Sequence, residues 1–254
     1  MNENLTFIIA IIGALAWLQQ PIIGWLKKKY SKPKLTTFIH EDLEIGYTTF
    51  GPILNLNIAF SIENKDSLIN YIDLRLVHAS SNATFQLKWV WFEEKFMEIE
   101  VPEQLNIPYK RNQIAIVLKL NTENVIEKKI GFQSSDFKIK TSDLQKACNQ
   151  EQLLLSNSQK SPSEIESKKC YNDYNDLFKS DFTWKEGKYN ISIKTKLVDL
   201  KEEQEVNFSF NLNSLDIKKL EQNIITCQGL LRNQYINLDP NYQPKWYWVN
   251  SSKE

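Results

Sequence analysis

Between Leu54 and Ile62 the chain alternates strictly: Leu54, Leu56, Ile58, Phe60 and Ile62 are apolar, and Asn55, Asn57, Ala59 and Ser61 are small or polar. Successive side chains of an extended chain point to opposite faces, so this pattern specifies a strand with one buried and one wetted face. A helix needs an apolar period near 3.6 and cannot use it. Such a strand belongs in an antiparallel sheet. The segment from Glu63 to Ser67 supplies turn residues, and Ile72, Leu74 and Leu76 continue the apolar theme. After Ser80-Ser81-Asn82, the residues Phe85, Leu87, Trp89 and Trp91 alternate again. Ile114, Ile116, Leu118 and Leu120 do the same, and a further strand is expected from Ile130 to Ile139. Short strands with turns every ~8–12 residues predict an antiparallel, immunoglobulin-like β-sandwich over residues 35–140.

Residues 141–182 read as a helical insertion or connector. Ser142-Asp143-Leu144-Gln145 has the form of a capping box opening a helix to about Leu155. A polar loop follows, and then a second helix with Ile165, Tyr171, Tyr174, Leu177 and Phe178 as its apolar stripe. In residues 183–254 the strands return. Tyr189 to Leu197 and Val206 to Leu212 alternate on either side of an acidic loop, which predicts a hairpin. Asn213 or Ser214 then caps an amphipathic helix carrying Ile217, Leu220, Ile224, Cys227 and Leu231 at three- and four-residue steps. These parts are expected to complete the same body.

Residues 1–34 have a different character. From Leu5 to Leu26 there is no charge, and a helix of that length rises about 33 Å against a hydrocarbon core of roughly 30 Å. The expectation is a single transmembrane helix, an integral span of the cell membrane. Lys27, Lys28, Lys29, Lys32 and Lys34 follow it directly, which marks the cytosolic side and offers contacts to anionic lipid. The N-terminus then lies outside and the body in the cytosol. Gln19, Gln20 and Pro21 interrupt the run and are candidates for association between spans. Ala14-Leu15-Ala16 supports the alternative of a cleaved signal and an exported periplasmic or surface body.

The net charge of zero conceals an asymmetry. The five lysines above face only Glu3, which leaves 26 basic and 30 acidic side chains in the remaining 220 residues. A mildly acidic body lacks the cationic field of a nucleic-acid-binding protein, so no nucleic acid is expected as a partner. Cys148, Cys170 and Cys227 are odd in number and widely spaced, as reduced thiols are.

Chemistry is scarce. His40 precedes Glu41-Asp42, which is half of a metal site, but no second histidine or cysteine stands at ligand spacing. His78 falls at a strand end. No Gly-x-Ser-x-Gly elbow and no phosphate-cradling glycine loop exists among seven glycines. No catalytic residue, metal or cofactor is assigned, and no enzymatic activity is expected. The aromatics Trp246, Tyr247 and Trp248 are the candidate partner-binding residues, or else a strand added to a free sheet edge.

Gly46-Tyr47 and Gly51-Pro52 before the alternating strand, Asn64-Lys65-Asp66 after it, and Gly187-Lys188-Tyr189 later follow an apolar N-terminal helix. This layout resembles a group of uncharacterised bacterial single-pass membrane-anchored proteins with an immunoglobulin-like β-sandwich body. The resemblance implies that fold; its motifs are turn and core residues and imply no activity. The expected function is a membrane-tethered, non-enzymatic protein-interaction or scaffolding module with a protein partner or self-association. The alternative is a sensor or effector that oligomerises or binds a small ligand through the body and acts through the span.

Overall fold

A computed structural model describes residues 31–99 and 107–254, with the backbone alone for 95–99 and 107–110. Its strands are β1 (Lys34–Thr48), β2 (Gly51–Glu63), β3 (Ser67–His78), β4 (Thr84–Ile99), β5 (Ile107–Ile114), β6 (Leu118–Leu120), β7 (Ile126–Gln133), β8 (Gly187–Leu197), β9 (Glu203–Leu212) and β10 (Val249–Ser252). All ten belong to one antiparallel sheet in the order β10-β1-β2-β7-β4-β3-β8-β9, with β5 beside β4 and β6 beside β3. The two ends of that order meet. The Glu254 N–H donates to the Ser209 carbonyl at 2.8 Å, and Ser251 Oγ donates to the Asn211 carbonyl at 3.0 Å. At the other end of the seam, the Gln204 side chain reaches β1. Its Nε2 donates to the Leu35 carbonyl at 2.9 Å, and its Oε1 accepts from Thr37 Oγ1 at 2.8 Å.

The sheet is therefore a nearly closed barrel, which corrects the expected immunoglobulin-like β-sandwich. Alternation demands that one face be buried, and a single sheet meets that demand by curling on itself as well as two sheets do by stacking. Strand length favours curling: β1 has 15 residues and β4 has 16, far beyond the usual ~5–6, so the right-handed twist accumulates over a long run. The interior is filled by side chains. Ile45 and Tyr47 of β1, Leu54, Leu56, Ile58 and Phe60 of β2, Leu74 and Leu76 of β3, Ile130 and Phe132 of β7, and Phe210 of β9 are almost fully buried.

Three helices close one end: α1 (Ser135–Asn157), α2 (Lys169–Ser180) and α3 (Ser214–Arg232). Tyr47 donates its hydroxyl hydrogen to the Phe178 carbonyl at 3.0 Å, and Trp184 Nε1 donates to the Gly46 carbonyl at 2.9 Å. The expected strand from Ile130 to Ile139 is divided. β7 stops at Gln133, and Ser134 Oγ accepts the Phe137 N–H at 3.3 Å, which caps α1 ahead of Ser142. Asn213 caps α3 through a reciprocal box with Asp216. Residues on both sides of the helices share the sheet, since Leu74 of β3 pairs with Ile193 of β8.

The expectations of a single-pass transmembrane protein and of a cell-membrane localisation are also corrected. No helix among the described residues is long and apolar enough to cross a membrane. The longest, α1, carries Lys138, Lys140, Lys146 and Glu151 along its length, because it serves as a lid with one wet face. The expected span Leu5–Leu26 lies outside the described residues.

Candidate functional site

The wall of the barrel is interrupted at β4. Its first residues, Thr84–Lys88, pair with β3, and Lys88–Phe92 pair with β7 across a bulge between Trp89 and Trp91. Beyond Phe92 the only partner of β4 among the described residues is β5, from Trp91↔Ile114 to Ile99↔Ile107. Beside β3 the place of β4 is taken by β6, with Ile69↔Leu118 and Ser67↔Leu120. β4 and β5 thus leave the wall as a two-stranded arm.

The residues give a reason for the departure. Lys128 stands opposite buried Ile58 and so points to the inward face, where it pairs with Glu94 at 3.4 Å and lies 5.5 Å from the Phe92 ring. An ion pair is costly to enclose in an apolar interior, so the wall opens where it occurs. The bulge is fixed by local bonds: Trp89 Nε1 donates to the Trp91 carbonyl at 3.1 Å, and the Ala115 N–H donates to the Val90 carbonyl at 3.0 Å. The Trp91 ring lies across Gly131, where an added Cβ would stand 2.1 Å from it. Only glycine at 131 allows that cover.

The base of the arm is apolar and open. Ile114 is 79% exposed, Ile116 78%, Val125 61% and Val117 42%. Among the described residues no strand pairs with the second edge of β5, so its outward N–H and C=O groups remain available. The alternation of Ile114, Ile116, Leu118 and Leu120 suggested one core face, yet only Leu118 and Leu120 are buried. The signal that could have separated them is the unbroken apolar run from Ile114 to Leu118, which no alternating strand contains.

The same register continues across the outer wall. Asn250, Glu44, Asn55, Gly131, Trp91 and Ile114 are successive cross-strand neighbours on β10, β1, β2, β7, β4 and β5. Glu44 accepts from Asn55 Nδ2 at 2.7 Å and pairs with Lys129 at 2.8 Å. Asn55 is buried, and its Oδ1 has no hydrogen-bond partner among the described residues. The surface therefore runs from a polar end, through one indole, to the apolar base of the arm.

Of the residues singled out by sequence, Lys34 pairs with Glu63 at 3.3 Å, and the Lys32 carbonyl accepts from Asn64 Nδ2 at 3.3 Å. Lys27, Lys28, Lys29, Gln19, Gln20 and Pro21 lie outside the described residues. Trp246, Tyr247 and Trp248 lead into β10 and are engaged within the chain. The Trp248 ring covers Gly46, Trp246 packs on the core, and Asn223 holds the Tyr247 backbone.

The remaining candidates for chemistry have structural roles. The Asp42 N–H donates to His40 Nδ1 at 3.1 Å, and no group of three metal-ligating side chains occurs among the described residues. His78 is buried; its Nδ1 hydrogen-bonds with Ser81 Oγ at 2.7 Å and its Nε2 with the Glu186 carbonyl at 3.0 Å, tying the β3–β4 turn to β8. The Cys148 thiol is pushed up to about 12 by burial and then by the neighbouring Cys170 thiol, and burial does the same to Cys227. Neither is a nucleophile at neutral pH.

No family model matches this chain, and neither a curated protein nor a solved structure gives a significant match.

Proposed function

We propose that the chain is a non-enzymatic protein-interaction module whose β4–β5 arm accepts an extended segment of a protein partner as an added strand. The observation that carries this reading is the edge of β5 with which no strand among the described residues pairs, beside the exposed Ile114, Ile116 and Val117. An added strand bonds its main chain to such an edge and sets alternate side chains on the apolar neighbours, which supplies affinity and selectivity together. The side-chain-filled barrel provides a rigid base for the arm, and Trp91 lies at the junction of the two.

The test uses a photo-crosslinking amino acid in place of Asn112 on β5, with the same group at Leu153 on α1 as a control. A specific partner is expected to crosslink at 112 and not at 153. Amide hydrogens of β5 should become protected from exchange when the purified partner is added. The double substitution Ile114→Lys with Ile116→Lys should abolish both signals while leaving the thermal midpoint unchanged. Equal crosslinking at both positions, or a partner whose capture ignores the double substitution, would overturn the reading.

A further inference from the structure

The lid contains a cavity of about 320 Å³ between the β1–β2 turn and the three helices. Lys138, Ser142 and Gln145 of α1 line one side at four- and three-residue steps, which places them on one face. Tyr174 and Phe178 of α2 line another, one turn apart, and Phe50 of the turn also lines it.

Three features give the cavity a chemical preference. Tyr174 is only 6% exposed, and its hydroxyl has no hydrogen-bond partner among the described residues. The ring is buried but the hydroxyl is not sealed from solvent, so it opens on the cavity and can donate to a ligand there. Lys138 carries the only formal charge on the lining, and among the described residues no carboxylate pairs with it. The remaining wall is mixed: Phe50, Phe178 and Leu231 are apolar, and Ser142, Gln145 and Gln234 are polar. Pockets of roughly 300–1,000 Å³ with an apolar lining and a few convergent polar groups are the usual form of small-molecule sites.

We infer that the helical lid binds a small organic carboxylate, with its apolar body against Phe178 and Phe50 and its anionic head toward Lys138 and the Tyr174 hydroxyl. Ser142 and Gln145, on the Lys138 face of α1, offer further hydrogen bonds to the head. This site lies on the lid and is built without any residue of the β4–β5 arm.

Isothermal calorimetry on the full chain tests it with benzoate and phenylacetate against their neutral isosteres benzamide and phenylacetamide. The acids should bind about tenfold more tightly than the amides, the factor expected of a hydrogen bond to a charged group. Lys138→Met should abolish that preference. Tyr174→Phe, which keeps the ring in place, should weaken the acids about fivefold. Thermal midpoints measured without ligand establish that both variants are folded. The arm substitution Ile114→Lys with Ile116→Lys should leave acid binding unchanged, so the lid and the arm fail or stand separately. Equal affinity for acids and amides, acid binding indifferent to Lys138→Met, or no binding of any of the four probes would overturn the inference.

Discussion

Asn223 and Tyr247 are joined by a pair of hydrogen bonds: Asn223 Nδ2 donates to the Tyr247 carbonyl at 2.7 Å, and the Tyr247 N–H donates to Asn223 Oδ1 at 2.8 Å. Asn223 sits on α3 and is fully buried. The clamp fixes the chain two residues before β10, whose Val249 pairs with Ile45 of β1. A side chain on the lid thus positions the strand that closes the barrel.

Asn223→Ala should remove both bonds and leave the Tyr247 N–H and carbonyl without partners. The expected loss is about 2–4 kcal/mol of folding stability. Amide exchange should accelerate first in Val249–Ser252. Uniform acceleration across the sheet in denaturant-free buffer would show that β10 does not open independently.

Gly131→Ala should displace the Trp91 ring, because the new methyl group would meet the indole at 2.1 Å. Overpacking of this kind costs about 1–3 kcal/mol. The emission of a variant retaining Trp91 as its sole tryptophan should shift to the red when Gly131→Ala is added. An unchanged spectrum and an unchanged denaturation midpoint would contradict the described packing.

Trp184→Phe keeps a ring against Tyr189 but loses the donor to the Gly46 carbonyl, a buried bond of 2.9 Å. The loss should be about 1–3 kcal/mol, read from urea denaturation, since the carbonyl is left unpaired. Trp184→Ala should cost more, because it also opens a cavity beside Tyr189.

Alkaline pH should destabilise the fold through its buried thiols. Cys148 and Cys227 hold their protons to about 12, against 9.0 for an ordinary thiol, and Tyr47 and Tyr235 are raised as well, chiefly by burial. Below pH 9 both folded and unfolded thiols are protonated, so the stability is fully present. Between about pH 9 and 12 the unfolded thiols ionise while the folded ones do not. Fewer protons are then bound in the unfolded state, and stability falls as pH rises. Denaturation midpoints from pH 8 to 10.5 should decline, less steeply in Cys227→Ala. At pH 8 the half-buried Cys170 should react with a thiol reagent far faster than the two buried thiols.

Several elements were legible from the sequence because local chemistry decides them. Leu54–Ile62 lies within β2, Tyr189–Leu197 within β8, and Val206–Leu212 within β9. Period-two alternation has one backbone solution, so burial of one face followed from the residues alone. Asn213 and Ser214 both announced the start of α3, and it is the Asn213 side chain that satisfies the first free N–H groups of the helix. The start of α1 was misplaced because Ser134 and Ser142 both have the chemistry of a cap, and only packing of Phe137 against Tyr47 selects the first.

The arm and the lid cavity were not legible. Whether Ile114 and Ile116 are covered depends on β4 leaving the wall, which depends in turn on Lys128 facing inward opposite Ile58. That facing is a matter of register between strands far apart in the chain. Lys138, Ser142 and Tyr174 become a site only when α1, α2 and the β1–β2 turn converge.

By itself, the sequence determined that long alternating strands would bury one face and that capped amphipathic helices would cover an apolar surface. Alternation is equally compatible with a stacked and a curled sheet, because either buries one face of every strand. Tertiary structure alone decided for the curled one, since closure needs β10 to reach β1 and the Asn223 clamp to deliver it there. It also decided where closure fails, at β4, and that opening is where the candidate site lies.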